Sequence, residues 1–280
     1  MQAEPILSAT EALDRDKFID RLYGDAQGAF NIFAVHIGDR LGFYRELSRS
    51  SGLTSSELAA RTGAQERYVR EWLEQQAAAC VLEVADITAG PGERRYSLSP
   101  GRAEALVDRD SLNFIAPLAQ LIAGAVSPLD QLLEAYRDGG GVPFSAYGAN
   151  LREGQASMNR PMLLKQLGEE WIPTMPDVHA RLLAAPPALI ADVGCGAGWS
   201  CIGMARSYPG AIVHGTTSMR LPSIWPTTIS TRLACRSGCR SSGAMAKASI
   251  WSGVTTWWLH SSASTTCPIR SGCCVPCAAC

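Results

Sequence analysis

The last 65 of the 280 residues contain no aspartate or glutamate. All 26 acidic residues precede Thr216, whereas residues 216–280 carry 6 Lys+Arg. At an acidic content of about 12%, a run of that length without a carboxylate has a chance below roughly one in a thousand. The same stretch holds seven of the ten cysteines, four of the seven tryptophans and 21 serines and threonines. Two compositions therefore meet near Gly215, and each needs its own reading. Other absences narrow the class. No apolar run reaches the ~18 residues of a membrane-spanning helix, and the start MQAEPILSATEALDRDKF lacks the basic and apolar regions of a secretory leader. The expectation is a cytoplasmic chain with no membrane partner. A charged fraction of 18% and an apolar fraction of 46% exclude a disordered or collagen-like chain.

Residues 1–110 read as a helical, winged-helix domain. Phe18, Ile19, Leu22 and Tyr23, then Phe30, Phe33, Ile37 and Leu41, recur at helical spacing and predict packing faces. Thr54-Ser-Ser-Glu57 is a capping box that opens a short helix ending at Gly63. A second helix is predicted over Gln65–Ala79, with Tyr68, Val69, Trp72 and Leu73 on one face. Two strands, Val81–Val84 and Arg95–Leu98, flank a turn at Thr88–Glu93. Helix, turn, helix and a two-stranded wing is a DNA-binding arrangement, so a winged-helix transcriptional regulator is one reading. Charge argues against it. The would-be recognition helix carries Glu66, Arg67, Arg70, Glu71 and Glu74, and only Arg94 and Arg95 of the wing are basic. Phosphate contacts need a cationic face, so a dimerisation or lid module is favoured over a nucleic-acid partner.

Residues 111–185 read as a helical middle on the substrate side. Leu112, Ile115, Leu118, Leu121 and Ile122 predict one buried helix, and Leu129, Leu132, Leu133 and Tyr136 another. Phe144, Tyr147, Met158, Met162 and Trp171 either line a pocket or fill the core, the commoner fate of such groups. His36 and His179 are candidate ligands or bases, but neither is paired with an acid in the sequence, and a packing role is the default.

Residues 186–215 carry the sharpest motif. Ala188-Leu-Ile-Ala-Asp192-Val193-Gly194-Cys-Gly196-Ala-Gly198 is an apolar strand running into a glycine-rich turn. A helix over Trp199–Ser207 and a strand over Ala211–Val213 complete a βαβ unit. Glycines there let backbone approach a nucleotide-like ligand with no Cβ in the way. The spacing is G-x-G-x-G with an acid two residues before, not the dinucleotide G-x-G-x-x-G.

This segment resembles motif I of class I S-adenosylmethionine-dependent methyltransferases. The order of winged helix, helical middle, N-R-P-x-x-L, W-I-P and P-D-V-H (Asn159 to His179) and then motif I is similar to a bacterial subgroup of that family. The resemblance implies S-adenosylmethionine as cofactor, a small-molecule methyl acceptor, and cofactor contacts from Asp192, Gly194, Gly196 and Gly198. It also implies a homodimer through the winged-helix region. The catalytic base is not identified. The implied fold class is α/β: a winged-helix domain followed by an incomplete Rossmann-like domain.

The family places an acid at the end of the second strand, for the ribose hydroxyls, and then more strands. Residues 216–280 offer neither. Taking the third base of each codon with the first two of the next, Thr216–Pro226 is compatible with D-F-D-A-P-S-I-D-L-A, which supplies the missing acid. Three positions allow little freedom in that decoding: Trp257-Trp258 gives Val, Cys273-Cys274 gives Leu and Trp225-Pro226 gives Ala. The expectation is an out-of-frame, poorly ordered tail arising from a one-base deletion near the Gly215 codon. The alternative is a zinc module on Cys235, Cys239, Cys274 and Cys277. It is disfavoured by the lack of carboxylates and by the leftover Cys267, Cys273 and Cys280, so no metal is expected.

Overall fold

A computed structural model describes residues 7–217 and the backbone of Trp258–Leu259. Contacts divide the chain into two units, residues 1–166 and 167–280. The expected tail and the four candidate zinc ligands lie outside the described residues, apart from that two-residue backbone.

The first unit opens with α1 (Ala9–Arg40), started by a capping box between Ser8 and Glu11. Residues 9–30 of α1 are exposed almost throughout. The packing faces predicted there therefore find no cover within the described chain: Tyr23 is 73% and Phe30 72% exposed. After α2 (Phe43–Ser48) come α3 (Ser55–Thr62) and α4 (Glu66–Ala78). The capping box of α3 forms as expected, with Thr54 Oγ1 accepting from Glu57 N and Glu57 accepting from Thr54 N. Gly63 ends the helix with a left-handed φ of 70°.

The wing is shorter than predicted. β1 (Glu83–Val84) pairs antiparallel with β2 (Tyr96–Ser97), and Leu53 bridges to Tyr96 from the other side. Val81 and Leu82 stay outside β1 because their N–H groups donate to the Gln76 carbonyl at the end of α4. α5 (Pro100–Val107) follows. Leu47, Leu58, Val69, Leu73 and Tyr96 form the centre of this core, with the rings of Phe43 and Tyr44 edge-on to Trp72. Each such side chain contributes about 1.5–3 kcal/mol by burial.

The predicted buried helices of the middle region differ from what forms. α6 spans Ala116–Ala125, so Leu112 and Ile115 precede it and are exposed. Its buried residues include Ala116, Ala119 and Gly124, while Leu118, Leu121 and Ile122 are half-buried. The reason is a close crossing with α8 (Gly148–Gln166). A Cβ on Gly124 would collide with the backbone of Leu151, and one on Gly154 would lie 2.6 Å from Leu121 N. Only small residues fit where two backbones come that near. α7 (Leu129–Asp138) has no buried residue, and Tyr136 is 84% exposed. Phe144 is exposed and Tyr147, Met158 and Met162 half-buried, so this group is not core.

The second unit begins with a π-helical turn, Leu167–Trp171, a 3-10 turn, Ile172–Thr174, and α9 (Pro176–Leu183). Then β3 (Leu189–Val193), α10 (Trp199–Ser207) and β4 (Ile212–Thr216) form the βαβ unit. The second strand ends three residues beyond the predicted Val213, because pairing with β3 runs from Leu189↔Ile212 to Val193↔Thr216. β5 (Trp258–Leu259) pairs parallel on the other side of β3, giving the order β4-β3-β5. Gly168 packs so close to Ser207 that it has no room for a Cβ. Tyr208 closes α10 by donating its phenol to the Gly168 carbonyl, 3.1 Å away.

Candidate functional site

The carboxyl end of β3 places Asp192, and the turn after it places the glycines. Gly194, Gly196 and Gly198 all have positive φ, of 83°, 54° and 79°. Each is a left-handed conformation that costs other residues roughly 1–2 kcal/mol. Among the described residues, a Cβ on Gly194 or Gly198 would meet nothing within 4 Å. The amides of Gly194 and Cys195 both donate to the Thr216 carbonyl, at 2.7 and 3.0 Å, which fastens the turn to the end of β4. Gly198 N donates to Cys195 O at 2.8 Å and closes the turn. α10 then starts from Gly198 with no side-chain cap. Its first-turn N–H groups and the positive end of its dipole suit an anionic group.

Asp192 is 1% exposed. Its Oδ2 accepts from Ser200 Oγ and from Cys201 Sγ, the latter at 3.3 Å. Its Oδ1 is buried with no hydrogen-bond partner among the described residues. A buried oxygen without a partner costs about 1–3 kcal/mol, and a cationic or N–H-bearing ligand would offset that. Gly215, opposite Asp192 in the sheet, makes the packing possible: a Cβ there would sit 2.7 Å from Cys201 Sγ and 2.8 Å from Cys195 Sγ. The Cys201 thiol is pushed far up, first by its hydrogen bond with Cys195, then by burial and by the charge of Asp192. It therefore stays protonated, a donor rather than a nucleophile.

The structure brings all four predicted residues together at one strand end. Sequence reasoning missed Cys195, Ser200, Cys201 and Gly215, whose roles depend on how α10 lies on the two strands. Of the two histidines, His36 has a buried Nδ1 without a partner among the described residues. Burial and Arg40 hold it below the usual imidazole value. His179 is not isolated: its Nδ1 lies 2.8 Å from Tyr208 Oη. No group of three or more metal-ligating side chains occurs among the described residues.

The wing and α4 present a different surface. Arg67 pairs with Glu71, Arg70 with Glu66, Arg94 with Glu74, and Arg95 with Glu57 through two contacts of 2.9 Å. Each cation of the would-be DNA-reading face is thus matched to a carboxylate of the same domain.

Residues 29–108 match the family model described as an Rv2258c-like winged HTH domain. Among solved structures, the mitomycin 7-O-methyltransferase MmcR is similar at 22% identity and a TM-score of 0.51, over 73% of this chain and 59% of that one. Human N-acetylserotonin methyltransferase, solved in complex with SAM, is similar at 19% identity and a TM-score of 0.52, over 75% of this chain and 60% of that one. At these identities the likeness is one of fold. The chain spans about three fifths of the length of these structures. No curated protein matches it in sequence.

Proposed function

We propose that residues 186–215 are the opening of an S-adenosylmethionine site, and that the family-level activity is methyl transfer to a small molecule. The carrying observation is the turn of three left-handed glycines beside a buried Asp192 with one unpartnered oxygen. The residues fit the cofactor's zwitterionic methionine portion. Asp192 Oδ1 suits its ammonium, the uncapped start of α10 suits its carboxylate, and the side-chain-free turn of Gly194, Gly196 and Gly198 lets the cofactor come close to the backbone. When bound, the cofactor supplies a methyl group activated on a sulfonium. The chain's contribution is positioning: the glycine turn holds the cofactor, and an acceptor must be held in line with the methyl group.

The described chain lacks one element of that site. β4 ends in Gly215-Thr216, followed by Thr217, and no carboxylate stands where the ribose hydroxyls would need one. We attribute this to a one-base deletion near the Gly215 codon, and expect weak or no activity from the chain as written. Two outcomes of calorimetric titration test the reading. The chain as written should show no micromolar binding of S-adenosylmethionine, and a chain with the frame restored after Gly215 should bind at micromolar concentration. Tight binding by the former overturns the account of the tail, and no binding by the latter overturns the methyltransferase assignment.

The winged-helix domain is assigned a dimerisation role rather than DNA binding. The exposed apolar residues of α1, including Phe18, Leu22, Tyr23 and Phe30, supply a surface for a second copy, and the arginine–glutamate pairs remove the cationic face that DNA requires.

A further inference from the structure

We propose that Ser200 and Cys201 are positioning residues for Asp192: together they hold one carboxyl oxygen and leave the other for the ammonium of an S-adenosyl amino acid. The inference rests on the cofactor reading above and concerns how that site is built.

A carboxyl group at the end of a strand can turn about its last bond. Here Ser200 Oγ and Cys201 Sγ both donate to the same atom, Oδ2. Two donors on one oxygen fix the carboxyl plane and leave Oδ1 buried without a partner among the described residues. Both donors stand in the first turn of α10 and are themselves buried, so solvent does not compete for them. The neighbouring Cys195 of the glycine turn, burial and the charge of Asp192 together keep Cys201 as a thiol. Gly215 makes the chain possible, since any side chain there would displace both sulfurs. Turn, helix start and both strands therefore converge on the orientation of a single oxygen.

The test separates the ammonium from the nucleoside. Ligand-observed NMR titration to millimolar concentration is run with S-adenosylhomocysteine, which carries the amino acid group, and with 5′-methylthioadenosine, which lacks it. Ser200→Ala and Cys201→Ala should weaken the first about threefold to tenfold, the loss expected for one hydrogen bond, and leave the second unchanged. Cys201→Ser keeps a donor and should retain the affinity for S-adenosylhomocysteine. Equal weakening of both ligands in the alanine variants, or no weakening of either, overturns the positioning role. So does a Cys201→Ser variant that loses as much as Cys201→Ala. If the unsubstituted chain binds neither ligand at millimolar concentration, the positioning role is overturned for this chain, whereas the cofactor reading fails only if the frame-restored chain also binds neither.

Discussion

Trp72 donates its indole N–H to the carbonyl of Ala34, 2.8 Å away, and so ties α4 to α1. One turn further along α1, Gly38 lies directly under the same indole, where a Cβ would collide with the Trp72 ring and come within 2.8 Å of Tyr44. Gln75 Nε2 adds a second link, donating to Asn31 Oδ1 at 2.7 Å, so the helix pair is set by two hydrogen bonds and one missing side chain. Trp72→Phe, which keeps most of the packing, should cost about 1 kcal/mol. Gly38→Ala should cost about 1–3 kcal/mol through overpacking. Urea unfolding checks both, and a Gly38→Ala variant as stable as the parent would mean that α1 shifts freely over α4.

Gly215 and Gly194 make a contrasting pair. Gly215→Ala must displace two buried sulfurs and should cost about 1–3 kcal/mol. Gly194→Ala meets no atom of the described residues within 4 Å, so its cost should be only that of its left-handed φ, roughly 1–2 kcal/mol. The two are told apart by a rescue: Cys201→Ala should recover part of the stability lost by Gly215→Ala and none of that lost by Gly194→Ala. Equal effects of Cys201→Ala on both would remove the steric explanation.

These relationships show what the sequence could carry. The α3 capping box was legible because both partners are three residues apart, and the extent of α10 because glycines and a Tyr-Pro-Gly stop bound it. The glycine turn with Asp192 was legible for the same reason: the whole device lies within seven consecutive residues. The contacts of Asp192 with Ser200 and Cys201 were not, since they depend on the rotation of α10 over β3. Nor was the fate of the leucines in α6 and α7. Helical periodicity says that a face is apolar, but not whether its cover comes from the same chain. In α6 the buried positions include Ala116, Ala119 and Gly124 rather than the leucines, because at Gly124 the backbone of α8 approaches too closely for a side chain. The tail's break in composition was visible from counts alone, and lies outside what the structure describes.

The paired arginines predict the behaviour of the winged helix with DNA. At physiological ionic strength, fluorescence anisotropy with duplex DNA should show no submicromolar binding. Neutralising Arg94 and Arg95 together should change little, because each is already matched to Glu74 or Glu57. Strong binding that falls steeply with salt and with these substitutions would reinstate the regulator reading.

The uncovered part of α1 predicts association. A 32-residue helix whose first two thirds are exposed presents Phe18, Leu22, Tyr23 and Phe30 to water. Sedimentation equilibrium should find a dimer. The double substitution Phe18→Asp and Phe30→Asp should shift it to monomer while the winged-helix core, which these residues do not enter, stays folded. A parent chain that sediments as a monomer would leave the apolar stripe without the partner assigned to it.

Glu57 gives a pH dependence whose sign can be worked out. Its carboxyl group is held below the ordinary glutamate value, chiefly by the backbone N–H of Thr54, with Arg95 and the Thr54 hydroxyl adding to it. A depressed value in the folded state means that the unfolded chain takes up its proton first as pH falls. The stabilisation is therefore fully present above the ordinary glutamate value and is lost as pH drops through that value toward the lower folded one. The group is solvent-exposed, so the effect is modest and salt-sensitive. Urea midpoints measured between neutral and acidic pH should fall more steeply for the parent than for Glu57→Gln. The gap between the two should narrow as pH decreases. Parallel curves would show that the carboxyl group contributes nothing through its charge, and that the capping box holds α3 by hydrogen bonding alone.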